Sequence, residues 1–251
     1  MSSKRVFLLG PSHHKYLTGC ALSKHAYYAT PLGNLALDVS TIEELASTGK
    51  FDWMSKNTDE AEHSLEMHLP YIYRTLAQSH NPVPPIIPIL VGNTDALTEK
   101  AYGALLAPYL ADPSSLFIIS SDFCHWGDRF RYTYYLPSTT ADVGDGRTLK
   151  GASVPTDPPI HESISRIDKS AMKAIESGTH GTFIADLMAT NNTVCGRHPI
   201  GVIMAAVEVL KQQGNLAPEK GLFRFVRYER SNDVRRSNES SVSYASAFAL
   251  L

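Results

Sequence analysis

Val6-Phe7-Leu8-Leu9 runs directly into Gly10-Pro11-Ser12-His13-His14, and this junction decides how the chain is read. The apolar run suits a short strand, and the Gly-Pro pair forces a turn that leaves two imidazoles on a loop rim. The pattern recurs downstream. Leu116-Phe117-Ile118-Ile119 leads into Ser120-Ser121-Asp122-Phe123-Cys124-His125-Trp126-Gly127. A third polar cluster, Cys195-Gly196-Arg197-His198-Pro199, stands just before the helix-like run 200–210. In an α/β sheet, strand C-terminal ends and helix N-terminal ends face the same side, where ligands bind. The three clusters are therefore expected to converge on one pocket.

Further strand-like runs read at Ile86–Val91, Leu222–Tyr228 and Val242–Leu250. Helical stripes separate them. Leu65, Leu69, Ile72 and Leu76 share one face, with Pro70 marking a kink or a first turn. Asn93-Thr94 reads as the N-cap of a helix carrying Leu97, Ala101 and Leu105. Ile164, Ile167, Ala171 and Ile175 form another stripe ended by Gly178, and Ile200, Ile203, Val207 and Leu210 one ended by Gly214. Strands alternating with helices predict a single layered α/β domain with a mainly parallel sheet flanked by helices. Pro88 inside Ile86–Val91 predicts an edge strand or a bulge there. The Pro/Gly-rich stretch of about 136–160 reads as a surface insertion.

The chain has 251 residues, 43% hydrophobic and 19% charged, which is ordinary globular composition and long enough for one large core. A net charge of -2 gives no reason to expect nucleic acid as partner. No apolar run approaches the ~20 residues of a membrane span, and the N-terminal run lacks signal-peptide features. A cytoplasmic or nuclear location is expected. Three cysteines make no disulfide framework and read as free thiols.

The clusters carry distinct chemistry. A neutral imidazole at His13 or His14 is a ligand for zinc, copper or iron, or a base near neutral pH; the alternative is two ordinary rim histidines. Asp122 and His125 stand three apart, so the carboxylate is placed to orient the imidazole and raise its basicity. The alternative is a hydrogen-bonded turn capped by Asp122. Cys195 precedes a helix start with Arg197 and His198 nearby, a setting that favours thiolate. A thiolate is a nucleophile, a soft metal ligand or a redox sensor, and the competing account is an inert buried cysteine. Asp59–His68 is dense in charge, with Glu62/Glu66 and Ser64/His68 paired at i,i+4 on a helix. It reads as a solvated face with capping acids, with Glu62 and His63 as possible pocket residues. Arg129-Phe130-Arg131-Tyr132-Thr133-Tyr134-Tyr135 suits either an acidic or phosphorylated peptide or a partly buried, snorkelling segment.

Taken together, Leu9–His14, Thr58–Pro70, Ser120–Tyr135, Thr193–Gly201 and Ser240–Ala245 resemble the Memo family. The resemblance implies a fold similar to the class III extradiol (LigB-type) dioxygenases and a link to signalling and cell motility. It implies a copper or iron site with His13 and Cys195 as ligands, and Asp122 and His125 as pocket residues, His125 as catalytic base. The family's Pro-His-Ala-Gly segment, source of another histidine ligand, is not found in this chain. His14 or His198 is then the expected substitute.

Three functions follow as expectations. The first is a metal-dependent redox protein, with ring-cleaving dioxygenase activity disfavoured because a cysteine stands where a carboxylate is expected. The second is a non-catalytic adaptor whose pocket receives a signalling phosphopeptide or a receptor-associated protein. The third is a cysteine hydrolase or transferase using Cys195.

Overall fold

The computed structural model describes residues 4–151 and 153–251. Its contacts group into two compact units, each assembled from separate stretches of chain: up to Ser121 with Gly196–Leu210, and Asp122–Cys195 with Lys211–Leu251.

Unit 1 contains β1 (Arg5–Pro11), β2 (Cys20–Leu22), the hairpin of β3 (Tyr27–Thr30) and β4 (Gly33–Ala36), β5 (Phe51–Trp53), β6 (Ile86–Val91) and β7 (Ser115–Ile119). Five of these form one sheet in the order β5-β2-β6-β1-β7. Every neighbouring pair is parallel except β2 with β6. Val6 to Leu9 are fully buried, as expected of a strand covered on both faces. The helices are α1 (Val39–Ser47), α2 (Lys56–Ala61), α3 (His63–Glu66), α4 (Leu69–Ala77) and α5 (Ala96–Ala111). The fold is a mixed α/β architecture with a mainly parallel sheet flanked by helices.

Three local expectations are corrected. Pro88 lies in a central strand, since β6 sits between β2 and β1. The Val91 carbonyl accepts from Ser12 on the β1 side, while the Ile86 carbonyl accepts from Asp38 on the other. By strand alternation the Pro88 nitrogen also faces away from β1. On that side β2 pairs only with Ile89–Val91, so no ladder bond is lost to the missing N–H. The cap of α5 is Asp95, whose carboxylate accepts from Thr98 N at 2.7 Å, one residue beyond the expected Asn93-Thr94. The Asp59–His68 stretch is not one helix: Glu62 is extended (φ -82, ψ 104) and separates α2 from α3. The helical face on which Glu62 and Glu66 would pair does not form.

Unit 2 contains β8 (His125–Trp126), β9 (Tyr134–Tyr135), β10 (Arg147–Thr148), α6 (Ile160–Glu176), α7 (His180–Thr190), β11 (Arg224–Arg230) and β12 (Ser241–Phe248). β11, β12 and β8 make an antiparallel sheet, and β9 pairs with β10. The last helix, α8 (Arg197–Gln212), belongs through Leu210 to unit 1. Gly103 of α5 admits it closely, because a Cβ there would come within 2.8 Å of the Ala206 nitrogen. The Pro/Gly-rich stretch is anchored rather than loose, with Leu136 and Leu149 buried.

Candidate functional site

Gly10 sets up the unit 1 cluster. A Cβ at Gly10 would lie 2.6 Å from Ser64 Oγ and 2.9 Å from a Leu65 methyl, so the bare backbone lets α3 press against the end of β1. Ser64 Oγ donates to the Pro11 carbonyl at 2.8 Å and locks that approach. The extended Glu62 then turns its carboxylate inward. Its side chain is 0% exposed, and it accepts from His13 N at 2.8 Å, Ser64 N at 3.0 Å and the His13 ring at Nδ1, 2.9 Å away. Burial works against ionisation of Glu62, but the hydrogen bonds from His13 and Ser64 outweigh it and lower the pKa to about 2.

Because an ionised carboxylate only accepts, the neutral His13 ring must carry its proton on Nδ1. Glu62 thereby fixes the tautomer and the plane of His13 and makes Nε2 the more basic nitrogen. His63 stacks on His13 with centroids 4.4 Å apart, and His14 meets His63 edge-on at 5.8 Å. Unit 1 therefore unites His13, His14, Glu62 and His63. His198 is placed differently, its Nδ1 2.7 Å from the buried Glu99 and its Nε2 3.1 Å from Asn93 Oδ1. Both of its ring nitrogens thus have protein partners.

Unit 2 brings together Asp122, His125 and Cys195. Cys195 Sγ accepts from Asp122 N at 3.0 Å, and Cys195 N donates to the Asp122 carbonyl at 3.3 Å. Burial pushes the thiols of Cys20 and Cys124 up, whereas Cys195 is only partly buried. His125 Nε2 lies 3.8 Å from Asp122 Oδ2, an ion-pair separation longer than a hydrogen bond. The group that fixes His125 is Thr193, which the sequence reading did not single out. Its hydroxyl accepts from His125 N at 2.7 Å and donates to the His125 carbonyl at 3.0 Å; its own carbonyl faces His125 Nδ1 at 3.2 Å. A carbonyl only accepts, so neutral His125 is protonated on Nδ1 and keeps Nε2 as the basic nitrogen.

Another buried acid, Asp168 of α6, holds the Cys124 segment. It is fully buried and accepts from Cys124 N at 3.1 Å, Asn192 Nδ2 at 2.9 Å and Tyr228 OH at 2.9 Å. Burial nevertheless raises its pKa. In the run after His125, Tyr132 and Tyr135 are buried, Arg129 lies over Phe130 at 4.8 Å, and Arg129 and Arg131 are exposed.

The comparisons with known proteins bear on this arrangement. The family model described as Memo-like protein matches residues 1–248. The chain belongs to the Memo family. Protein MEMO1 of Danio rerio is 46% identical over 97% of this chain and 74% of its own length. Protein MEMO1 of Homo sapiens is 44% identical over the same shares. The memo-1 homologue of Caenorhabditis elegans is 42% identical over 97% of this chain and 63% of its own. Among the described residues of this Memo-family chain, no helix is long and apolar enough to cross a membrane.

Proposed function

We propose that this Memo-family chain is a copper- or iron-binding protein with a redox role in signalling and cell motility, in which His13 and Cys195 are metal ligands. The observation that carries the reading is the setting of His13: a buried, ionised Glu62 grips Nδ1 and fixes the ring plane. Carboxylate–imidazole pairs of this kind orient a metal-binding histidine and raise its basicity. The donor types fit, since imidazole suits copper and iron and a thiolate favours Cu(I). The metal, when bound, supplies one-electron chemistry. Within unit 2, Cys195 offers a partly exposed thiol beside the Asp122 backbone, and His125, held by Thr193, presents a basic nitrogen that takes up or releases a proton.

The exposed Arg129 and Arg131 favour a second reading, an adaptor that binds a phosphorylated peptide. One experiment separates the two. The purified chain is titrated anaerobically with Cu(I) and with Fe(II), desalted and assayed for metal, beside His13→Ala and Cys195→Ser. Stoichiometric metal lost in both variants is the expected result. A folded chain that retains no metal, or two variants that bind as the parent does, would sink the metal reading. Phosphopeptide binding that survives in Cys195→Ser but not in Arg129→Ala would favour the adaptor.

A further inference from the structure

We infer that unit 1 carries a metal site of its own, built from His13, Glu62 and His63, which takes a first-row divalent cation without any cysteine ligand. Ligand atoms of these three residues all lie within 4.8 Å of one another. Two of the separations are close to what one ion demands. His13 Nδ1 and His63 Nδ1 both point at Glu62 Oε1, at 2.9 and 3.7 Å. Metal–ligand bonds of ~2.0–2.2 Å put neighbouring ligand atoms roughly 3–3.5 Å apart, so an ion fits with small side-chain shifts.

The carboxylate has room for the ion. Its oxygens offer about four lone-pair positions, and backbone N–H groups of His13 and Ser64 use two. Those bonds hold the carboxylate in place from behind, as outer-shell partners do for metal ligands. The groups that face it are imidazoles: among the described residues no Lys or Arg lies within ion-pair distance of Glu62. The two stacked rings, with centroids 4.4 Å apart, stand beside the same buried carboxylate and can share one cation with it. His63, at 60% exposure, leaves a path for the ion to enter.

An N,O,N donor set lacking thiolate selects borderline and hard divalent ions, whereas Cu(I) follows sulfur. The inference shares His13 with the proposed function but does not depend on Cys195, and the choice of metal keeps the two apart. Ion binding at this site moves the His13 proton from Nδ1 to Nε2, with no net change in protonation of a neutral ring.

The test uses the full chain and Co(II) chloride, following the visible d–d absorption and counting the ion after desalting. The variants are Glu62→Gln, His63→Ala and Cys195→Ser, each checked for folding by circular dichroism. One Co(II) per chain is expected, with no thiolate-to-cobalt charge-transfer band. Affinity should fall at least ~10-fold in Glu62→Gln and His63→Ala, the size that even an outer-shell partner commands, and stay unchanged in Cys195→Ser. Because Glu62 also caps α3, His63→Ala carries the decision if Glu62→Gln fails to fold. A His63→Ala chain that binds Co(II) like the parent, a folded parent that binds none, or loss of Co(II) in Cys195→Ser would overturn the inference. Loss of Cu(I) alone in Cys195→Ser would leave it standing while supporting Cys195 as a copper ligand.

Discussion

Replacing Glu62 by Gln tests whether the His13 setting rests on a buried charge or only on shape. Glu62 is acceptor to three donors, and Gln can offer one carbonyl oxygen but must turn an NH2 toward a donor on the other side. If the amide oxygen takes the Oε1 position it keeps Ser64 N and His13 Nδ1, and the NH2 then faces His13 N–H. A buried donor left unmatched costs about 1–3 kcal/mol. The lowered pKa expresses the same bonds as a free energy. A fall from the ordinary 4.5 to about 2, at about 1.4 kcal/mol per pKa unit, corresponds to about 3 kcal/mol favouring the ionised, folded state.

The sign follows from the direction. The folded pKa lies below the unfolded one, so the stabilisation is complete above about pH 4.5 and fades as pH falls through about 2. Urea and thermal unfolding of parent and Glu62→Gln, both with chelator, should differ by about 3 kcal/mol at pH 7. That is roughly 6–12 °C in Tm for a chain of this size. At pH 3 the gap should narrow to about half. A gap below about 1 kcal/mol at pH 7, or one that does not change with pH, would refute the account of Glu62 as an ionised anchor.

Two further outcomes test unit 2. Asp168→Ala should cost more than about 3 kcal/mol, since it strands the donors of Cys124, Asn192 and Tyr228. Asp168→Asn should cost much less, because burial raises the Asp168 pKa and the charge itself is a burden. Its stability relative to the parent should improve as pH rises through the acid range, and equal losses in the two variants by urea unfolding would disprove this. Brief alkylation of the native chain, read by peptide mass spectrometry, should label Cys195 and spare the buried Cys20 and Cys124. Early labelling of either buried thiol would contradict the packing described.

What the sequence shows about the fold depends on length of signal. The apolar runs at β1 and β6 are legible because a strand buried on both faces needs no partner in sequence to be seen. β2 and β5, three residues each, carry too few positions for any period to register. Pro88 misleads for a related reason. A proline reads as an edge signal, whereas its tolerance here follows from how far the short β2 reaches along β6, a fact of pairing rather than of local composition.

The candidate site divides in the same way. His13, Asp122, His125 and Cys195 stand out as reactive residue types near strand or helix ends. Asp168 left a usable trace, because it falls inside the apolar stripe of Ile164, Ile167, Ala171 and Ile175, and a carboxylate there must be buried and hydrogen-bonded. Glu62 left none. Read locally it belongs to a charged helix, and only the bare Cα of Gly10, some fifty residues earlier, admits Ser64 and breaks that helix where the carboxylate must turn inward. The tautomer of His13 is thus decided by a backbone approach between segments far apart in sequence. Adding a methyl at Gly10 should therefore disturb His13 without touching it. Gly10→Ala should push Ser64 away from Pro11, release Glu62 from His13, and weaken metal binding together with stability; metal binding unchanged in that variant would refute the dependence of His13 on the Glu62 carboxylate.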